Sequence, residues 1–400
     1  MASLFGWLDS SERDRRRALD AIDLLKQKET LDELGIGSIR DTIADIQSPG
    51  TSTIQTRARY FFFIPWIYLS LEQGGVNSEQ IAARARRKEI ELIEELSKCT
   101  DSAGTIGVEA GASLKRLPSM IYWAGLGRLG FKLFPGSQEQ YHRAFRRNAF
   151  HVRRDESGDI GLDVALPGNW NPHLPEAPDE YPEGATFKLR REESEFFREQ
   201  LHSRAPESLL RILVEFSDET LDFDFPWEHP RLLEMPPHLQ QWLVWGQCFA
   251  EVMHGAQLLY NLMLAEKRYH TEWIERYTGL LQEWCQLVSI RSSVYQQWDR
   301  TAFWGALRRE NPRLPHGAEN FSEQWIRSVL ASSDPAKLMT DTQSRELITK
   351  REWELKKGRA RLQSPAHLEL WGGASGSERL NYRWGITRTL VRDIVDGLRN

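Results

Sequence analysis

One apolar stretch near the start of the chain constrains the fold more than any other feature. Residues 60–71 read YFFFIPWIYLSL, with a proline in the middle and few polar side chains. A helix that is apolar on most of its sides is buried and not amphipathic. Pro65 removes one amide donor, so we expect a kink or an end there, with the chain helical again up to Leu71. We therefore predict that this stretch is the central helix of the N-terminal half.

The residues just before this stretch, SPGTSTIQTRAR, predict where its helix begins. Pro49-Gly50 is a turn signal. Ser52 is a candidate N-cap, and Gln55 follows three residues later, as in a capping box. We therefore place the start of the helix at Ser52, with Arg57 and Arg59 near its first turns.

Two interpretations of these arginines are open. Arg57 and Arg59 are two residues apart, which is about 200° around a helix, so they cannot share a face. In the first interpretation, one arginine anchors a buried carboxylate and the other faces solvent. In the second, hydroxyl groups and an arginine bind a phosphate of a nucleic acid at the positive end of the helix. The residues of this candidate site are Thr51, Ser52, Thr53, Arg57 and Arg59.

Length and patterning predict the domain organisation. A chain of 400 residues exceeds what one hydrophobic core usually serves, which is roughly 250–300 residues. Apolar residues recur at helical spacing in many segments, whereas residues 166–186 are acidic, carry five prolines and lack periodicity. We predict a mainly α protein with two helical domains. They are an N-terminal helical domain at 1–165 and a C-terminal helical domain at 187–400, joined by a Pro-rich linker or surface loop at 166–186.

The end of the N-terminal domain allows two interpretations. Short helices with glycine turns precede the segment HVRRDESGDIGLDVAL, which is compatible with a small β-hairpin around Ser157-Gly158. Together these elements match a winged helix-turn-helix, and a generic helical domain gives the same pattern.

Positive charge is concentrated in three clusters. The net charge of -5 argues against a general polycation, so a nucleic-acid contact would need a local patch. The clusters are Arg84–Lys88, Arg143–Arg154 and Lys350–Arg361. The middle one mixes arginine with phenylalanine, a composition typical of phosphate-and-stacking surfaces. The alternative is a solvated helix face that pairs with the acidic segment after it. The arginines of this second candidate site are Arg143, Arg146, Arg147, Arg153 and Arg154.

Patterns of common catalytic and metal sites are weak or absent. The chain has no glycine-rich phosphate loop with its lysine, no H-E-x-x-H and no C-x-x-C. Two E-x-x-H pairs are half of a carboxylate-bridged di-iron site, but chance gives about one such pair in a chain of this composition. The pairs are Glu199/His202 and Glu251/His254. The triplet Glu354-Leu355-Lys356 lies in a helical pattern, whereas nucleases of the E-x-K type need it on a strand. We therefore expect no metal and no cofactor.

Composition also predicts a compartment. Three cysteines without close spacing suit a reducing environment. No basic-then-apolar N-terminal segment indicates export, and the apolar stretches are interrupted well before the ~20 residues of a membrane span. We predict a cytoplasmic protein without membrane contact.

Five segments resemble an uncharacterised bacterial family, a domain of unknown function. They are FGWLD near the start, DELGIGSIRD at Asp32 to Asp41, PGTSTIQTRARYF at Pro49 to Phe61, LPSMIYWAGLGRLG at Leu117 to Gly130 and KKGRARL at Lys356 to Leu362. The resemblance spans most of the chain and carries no catalytic residue with it. Such proteins look like companions of helicase- and nuclease-type genes in prokaryotic defence islands, and the resemblance implies that setting here.

The resulting functional hypothesis is a non-catalytic component of a prokaryotic defence or DNA-processing system. It binds protein partners, such as helicase- or nuclease-type subunits, and its basic clusters add nucleic acid as a further partner. The alternatives are a direct DNA- or RNA-binding protein and a cryptic enzyme such as a nuclease. An exposed tryptophan-rich surface favours a partner scaffold, and a contiguous basic surface favours a nucleic-acid binder. A concave cluster of perturbed carboxylates favours an enzyme.

Overall fold

The computed structural model describes residues 32–74, 76–145, 168–217 and 221–400. Within these ranges the chain forms fifteen α-helices and no β-strand, which confirms the prediction of a mainly α fold. One isolated antiparallel bridge joins Lys132 and Trp170. The hairpin predicted around Ser157-Gly158 lies outside the described residues.

The helices follow one another along the described chain with short connections. The first seven are α1 (Gly37–Gln47), α2 (Tyr60–Gln73), α3 (Ile81–Lys98), α4 (Pro118–Arg128), α5 (Gln138–Ala144), α6 (Arg191–Arg204) and α7 (Leu209–Phe216). The other eight are α8 (Pro237–Lys267), α9 (Thr271–Ile290), α10 (Ser292–Gln296), α11 (Arg300–Glu310), α12 (His316–Ala331), α13 (Thr342–Lys356), α14 (Pro365–Glu369) and α15 (Trp384–Arg399).

Two compact units divide the chain, and each is built from two separate segments. The first unit comprises Met1–Ile43 and Leu243–Leu380, of which 32–43 and 243–380 are described. The second unit comprises Ala44–Trp242 and Asn381–Asn400. The predicted linker at 166–186 lies within the long segment of the second unit. Its role as a domain boundary stays a prediction.

Helix α2 is the buried centre of the second unit. Every residue from Tyr60 to Tyr68 is buried, and Pro65 lies inside the helix without ending it. The Phe61 ring packs against the rings of Phe131 and Phe197, with centroids 5.3 and 5.2 Å away. The prediction of a buried helix in this stretch is confirmed.

The predicted start of this helix at Ser52 is wrong, because α2 begins at Tyr60. The amides of Thr56 and Arg57 donate to the Tyr122 hydroxyl at 2.8 and 3.1 Å instead of to carbonyls one turn back. The same hydroxyl donates to the Arg57 carbonyl at 2.9 Å. Residues 51–59 are therefore a loop that is held by a distant side chain.

In the first unit, α8 and α9 approach each other closely at a glycine. A Cβ atom on Gly255 would lie 2.2 Å from the Trp284 ring. That ring cannot swing away freely, because its Nε1 donates to the Glu251 carbonyl at 2.8 Å. Only glycine, which has no Cβ atom, allows the two helices to pack this closely here.

We expect Gly255→Ala to lower the free energy of unfolding by about 1–3 kcal/mol, because overpacking displaces the indole. Gly279→Ala on α9 is the matched control, since nothing lies within 4 Å of its Cβ position. Alanine there should stabilise the helix by up to about 1 kcal/mol. Urea denaturation of both variants measures the contrast, and equal midpoints would contradict it.

Candidate nucleic-acid interface

The three hydroxyl residues of the first candidate site do not stand at a helix start. Thr51 is buried, and its Oγ1 donates to the Ser48 carbonyl at 2.7 Å. Ser52 is half-buried and Thr53 is exposed. Half of the predicted capping box forms, since the Ser52 amide donates to Gln55 Oε1 at 3.3 Å. Because α2 begins eight residues after Ser52, the helix-terminus premise is wrong, and a phosphate contact of these residues stays a prediction.

Arg57 is held by two carboxylates of the second unit. Its Nε lies 3.1 Å from both oxygens of Asp393 on α15. Its two terminal nitrogens donate to Asp101 at 3.1 and 2.9 Å. The Asp393 carboxylate also accepts from the Ala58 amide at 2.8 Å. These contacts join the loop before α2 to the last helix of the chain.

Arg59 forms a buried ion pair with Glu193, the third residue of α6. Its Nε and Nη2 each lie 2.9 Å from one carboxylate oxygen, in the two-pronged geometry that arginine favours. Nη1 donates to the Thr186 carbonyl at 2.9 Å. The Glu193 side chain is 0% exposed, and Arg190 Nε lies 2.6 Å from it.

Both arginines therefore anchor carboxylates, and neither has a freely exposed guanidinium. Sequence reasoning proposed this role for one of them. It also predicted that the two side chains would diverge, and their separate partners agree with that. Arg57 and Arg59 thus form structural ion pairs, and their predicted contact with a phosphate stays a prediction.

The second candidate site is only partly described. Arg143 on α5 is exposed and pairs with Glu139, one turn before it. The other four arginines, Arg146, Arg147, Arg153 and Arg154, lie outside the described residues. Their predicted nucleic-acid contacts stay predictions.

The two E-x-x-H pairs engage protein groups. His254 Nε2 donates to the Ser377 carbonyl at 3.0 Å, and burial lowers the His254 pKa to about 4. Its predicted co-ligand Glu251 instead accepts from Arg291 Nε at 2.7 Å and Tyr295 OH at 2.8 Å. His202 lies in a cleft of about 620 Å³ and pairs with Glu215 at 2.9 Å. Within the described ranges no group of three or more His, Cys, Asp or Glu side chains could hold a metal ion.

A buried carboxyl on α3 has no cation partner among the hydrogen bonds that hold it. Glu89 is 0% exposed and accepts from the amide and the hydroxyl of Ser119 at 2.8 and 2.7 Å. Gln138 Nε2 donates to the Ser119 hydroxyl at 2.8 Å and to the Tyr68 hydroxyl at 2.7 Å. Burial raises the Glu89 pKa to about 7 despite the hydrogen bonds from Ser119. The carboxyl fixes the start of α4 against α3.

The outer side of α3 carries a row of cations. Arg84 and Arg87 are exposed and Lys88 is half-buried, while Ile81, Ala85 and Leu92 face the core, as the helical pattern predicts. Acidic residues follow toward the C-terminal end of the helix. This order is the reverse of what the helix dipole favours, since cations are stabilising at the other end. The helix dipole therefore does not account for the row.

A second segment brings two more cations beside α3. Arg86 Nη2 donates to the Ala112 carbonyl at 2.7 Å, which ties the loop before α4 to the helix. Ser119, the second residue of α4, is bound to Glu89 and fixes the end of the same loop to the next turn of α3. Lys115 and Arg116 are exposed and lie within four residues of both anchors, so the loop that carries them is fixed at two points to α3.

We use the name α3 basic face for the cations of α3 and of the loop tied to it, which are Arg84, Arg87, Lys88, Lys115 and Arg116. In the described part of the chain none of the five forms an ion pair. Unpaired cations on a pinned backbone can contact several phosphates of a nucleic acid and release their counterions. Sequence reasoning flagged Arg84–Lys88 as a basic cluster, but nothing local to Lys115 and Arg116 indicated that they would join it.

Among the comparisons with known proteins, one family model matches the chain. A family model described as a family of unknown function (DUF6361) matches residues 2–397. No curated protein and no solved structure matches the chain. Among the described helices, none has the length and apolar character that a membrane span requires.

Proposed function

The chain belongs to this family of unknown function, DUF6361, and we propose that it is a non-catalytic nucleic-acid-binding component of a larger assembly. The α3 basic face carries the proposal. Its five cations lie on two segments that the hydrogen bonds of Glu89 and Arg86 tie together, and a common surface of the five is part of the proposal. Phosphate contacts of this kind give affinity and little sequence preference.

Tryptophan exposure supports nucleic acid over a pure protein scaffold. Of the fourteen tryptophans in the described ranges, Trp353 alone is exposed. A tryptophan-rich surface, the feature expected of a scaffold, is not formed by these residues. Protein partners of the helicase or nuclease type remain part of the proposal, with the exposed side chains of Val108 and Met120 near the basic face as candidate contacts.

The setting is a prokaryotic defence or DNA-processing system. The resemblance of the five quoted segments supports it, and the cytoplasm is the compartment that fits such a system. The predicted contacts of Thr51, Ser52 and Thr53, and of the Arg143–Arg154 cluster, belong to the same proposal as secondary contacts.

Salt-dependent binding tests the role of the α3 basic face. We expect Arg84→Gln with Arg87→Gln to weaken binding to labelled DNA or RNA. The slope of log affinity against log salt should fall by about one unit for each arginine that contacts a phosphate. Fluorescence anisotropy with single-stranded DNA, double-stranded DNA and RNA at several salt concentrations measures both effects.

Two controls sharpen this test. Arg128→Gln with Lys188→Gln removes two exposed charges of the second unit that are not among the five cations of the α3 basic face and should leave the slope unchanged. Arg143→Gln asks whether the other predicted cluster binds instead. Wild-type protein that binds none of the three probes at low salt would overturn the proposal.

A further inference from the structure

The first unit carries a second basic surface, on and just after α13. Lys350 and Trp353 are three positions apart on the helix and are therefore surface neighbours. Lys357 and Arg359 follow directly after the helix ends at Lys356. All four side chains are exposed, and Trp353 retains 40% of its accessible surface. We call these four residues the Trp353 surface.

The protein covers part of Trp353, and 40% of its accessible surface stays exposed. In the described ranges its indole makes no hydrogen bond, no ring contact and no cation–π contact. Lys350, Lys357 and Arg359 likewise form no ion pair there. Glu354, the acid next to Trp353, lies 3.8 Å from Arg351. A partly exposed aromatic ring and three unpaired cations therefore lie within ten residues of the chain, together with the partly exposed carboxylate of Glu354.

Buried contacts hold this surface in place. Glu352, 0% exposed, accepts from the Tyr260 hydroxyl at 2.6 Å and from Lys356 Nζ at 3.0 Å. The amides of Arg361 and Leu362 donate to the same carboxylate, both at 2.9 Å. The turn that carries Lys357 and Arg359 is thus fastened at both ends. Lys356 and Lys357 are adjacent, yet one supports the fold and the other faces solvent.

The backbone of this turn is strained at Lys357. Its φ is +51°, in the left-handed region that favours glycine. Gly358 follows directly and does not take that conformation. Strain of this kind persists where the surroundings enforce it, and it is often found at binding sites.

We infer that the Trp353 surface binds single-stranded nucleic acid, with a base stacked on the Trp353 indole and phosphates on Lys350, Lys357 and Arg359. The inference rests on the proposed function and adds to it the class of nucleic acid. Every base has a π-face, so stacking on tryptophan tolerates any sequence but requires an unpaired strand. The cations supply the matching charge for the backbone.

Four variants of the full chain separate stacking from charge and from folding. Trp353→Leu should weaken binding of a labelled single strand about tenfold. Trp353→Phe, which keeps an aromatic ring, should retain most of the wild-type affinity. Lys357→Gly should raise the unfolding midpoint by relieving the strain and yet weaken binding. Lys337→Gln, an exposed lysine elsewhere in the first unit, is the charge control and should change neither. Ultraviolet crosslinking to a bromodeoxyuridine-containing strand, read by mass spectrometry, should label Trp353.

The outcomes distinguish this inference from the proposed function. Salt-dependent binding that is equal in wild type, Trp353→Leu and Lys357→Gly overturns the inference and leaves the proposed function standing. Binding of a duplex that falls as much as single-strand binding in Trp353→Leu also overturns it. No binding of any nucleic acid by the wild type overturns both.

Discussion

Arg59→Met should lower the free energy of unfolding by about 3 kcal/mol, the lower end of the cost of breaking a buried ion pair. The substitution leaves Glu193 buried with only Arg190 as its cation partner, and Arg190 is partly solvated, with 37% of its side chain exposed. Methionine fills much of the volume of the arginine stem, so the loss reports the missing charge and hydrogen bonds. Urea denaturation followed by circular dichroism measures it.

Arg143→Met is the matched control for this prediction. Arg143 and Glu139 are 72% and 75% exposed, and exposed pairs of this kind contribute at most about 1 kcal/mol. A second variant, Glu193→Leu in the Arg59→Met background, should recover part of the loss because no buried charge is then left without its partner. Equal stability of Arg59→Met and wild type would show that the ion pair has no structural role.

Glu89→Gln should remove a pH dependence of about 3 kcal/mol from the stability of the second unit, given the pKa rise from 4.5 to about 7. Between these two pH values the folded state binds more protons than the unfolded state. The stability that Glu89 contributes below pH 4.5 is therefore lost as the pH rises toward 7. Above pH 7 the second unit stays destabilised by the full amount. Glutamine stays neutral at every pH and can still accept a hydrogen bond from the Ser119 amide.

Unfolding at pH 5 and at pH 8 gives the comparison. The variant should be more stable than wild type at pH 8, with a much smaller difference at pH 5. Glu139→Gln, which changes an exposed carboxyl, should follow the wild-type profile. Parallel profiles for wild type and Glu89→Gln would mean that Glu89 is ionised in the folded state throughout this range.

These two predictions bear on binding as well as on stability. Glu89 fixes the loop that carries Lys115 and Arg116, so its ionisation acts on the same contact that shapes the α3 basic face. Arg59 is held by Glu193 and Thr186 and makes no contact with the loop that carries Lys115 and Arg116. Arg59→Met should therefore leave nucleic-acid binding unchanged at temperatures where the variant is folded.

The sequence by itself determined the helical class and the faces of individual helices. The apolar run around Pro65 required burial whatever its neighbours were. The 3.6-residue pattern of α3 was enough to turn Arg84 and Arg87 outward, because helix geometry is local.

Only the tertiary structure decided which charged side chains face solvent and which form ion pairs inside the protein. The carboxylate that holds Arg57 lies 336 residues further along the chain, and no local pattern specifies such a partner. Lys356 binds the buried carboxylate of Glu352, whereas the adjacent Lys357 faces solvent, because Glu352 is packed against one side of the turn. Glu89 lies in a charged stretch and is buried, since two donors arrive from Ser119 on another helix. The type of a side chain is local, but its electrostatic environment is set by residues that the fold brings together.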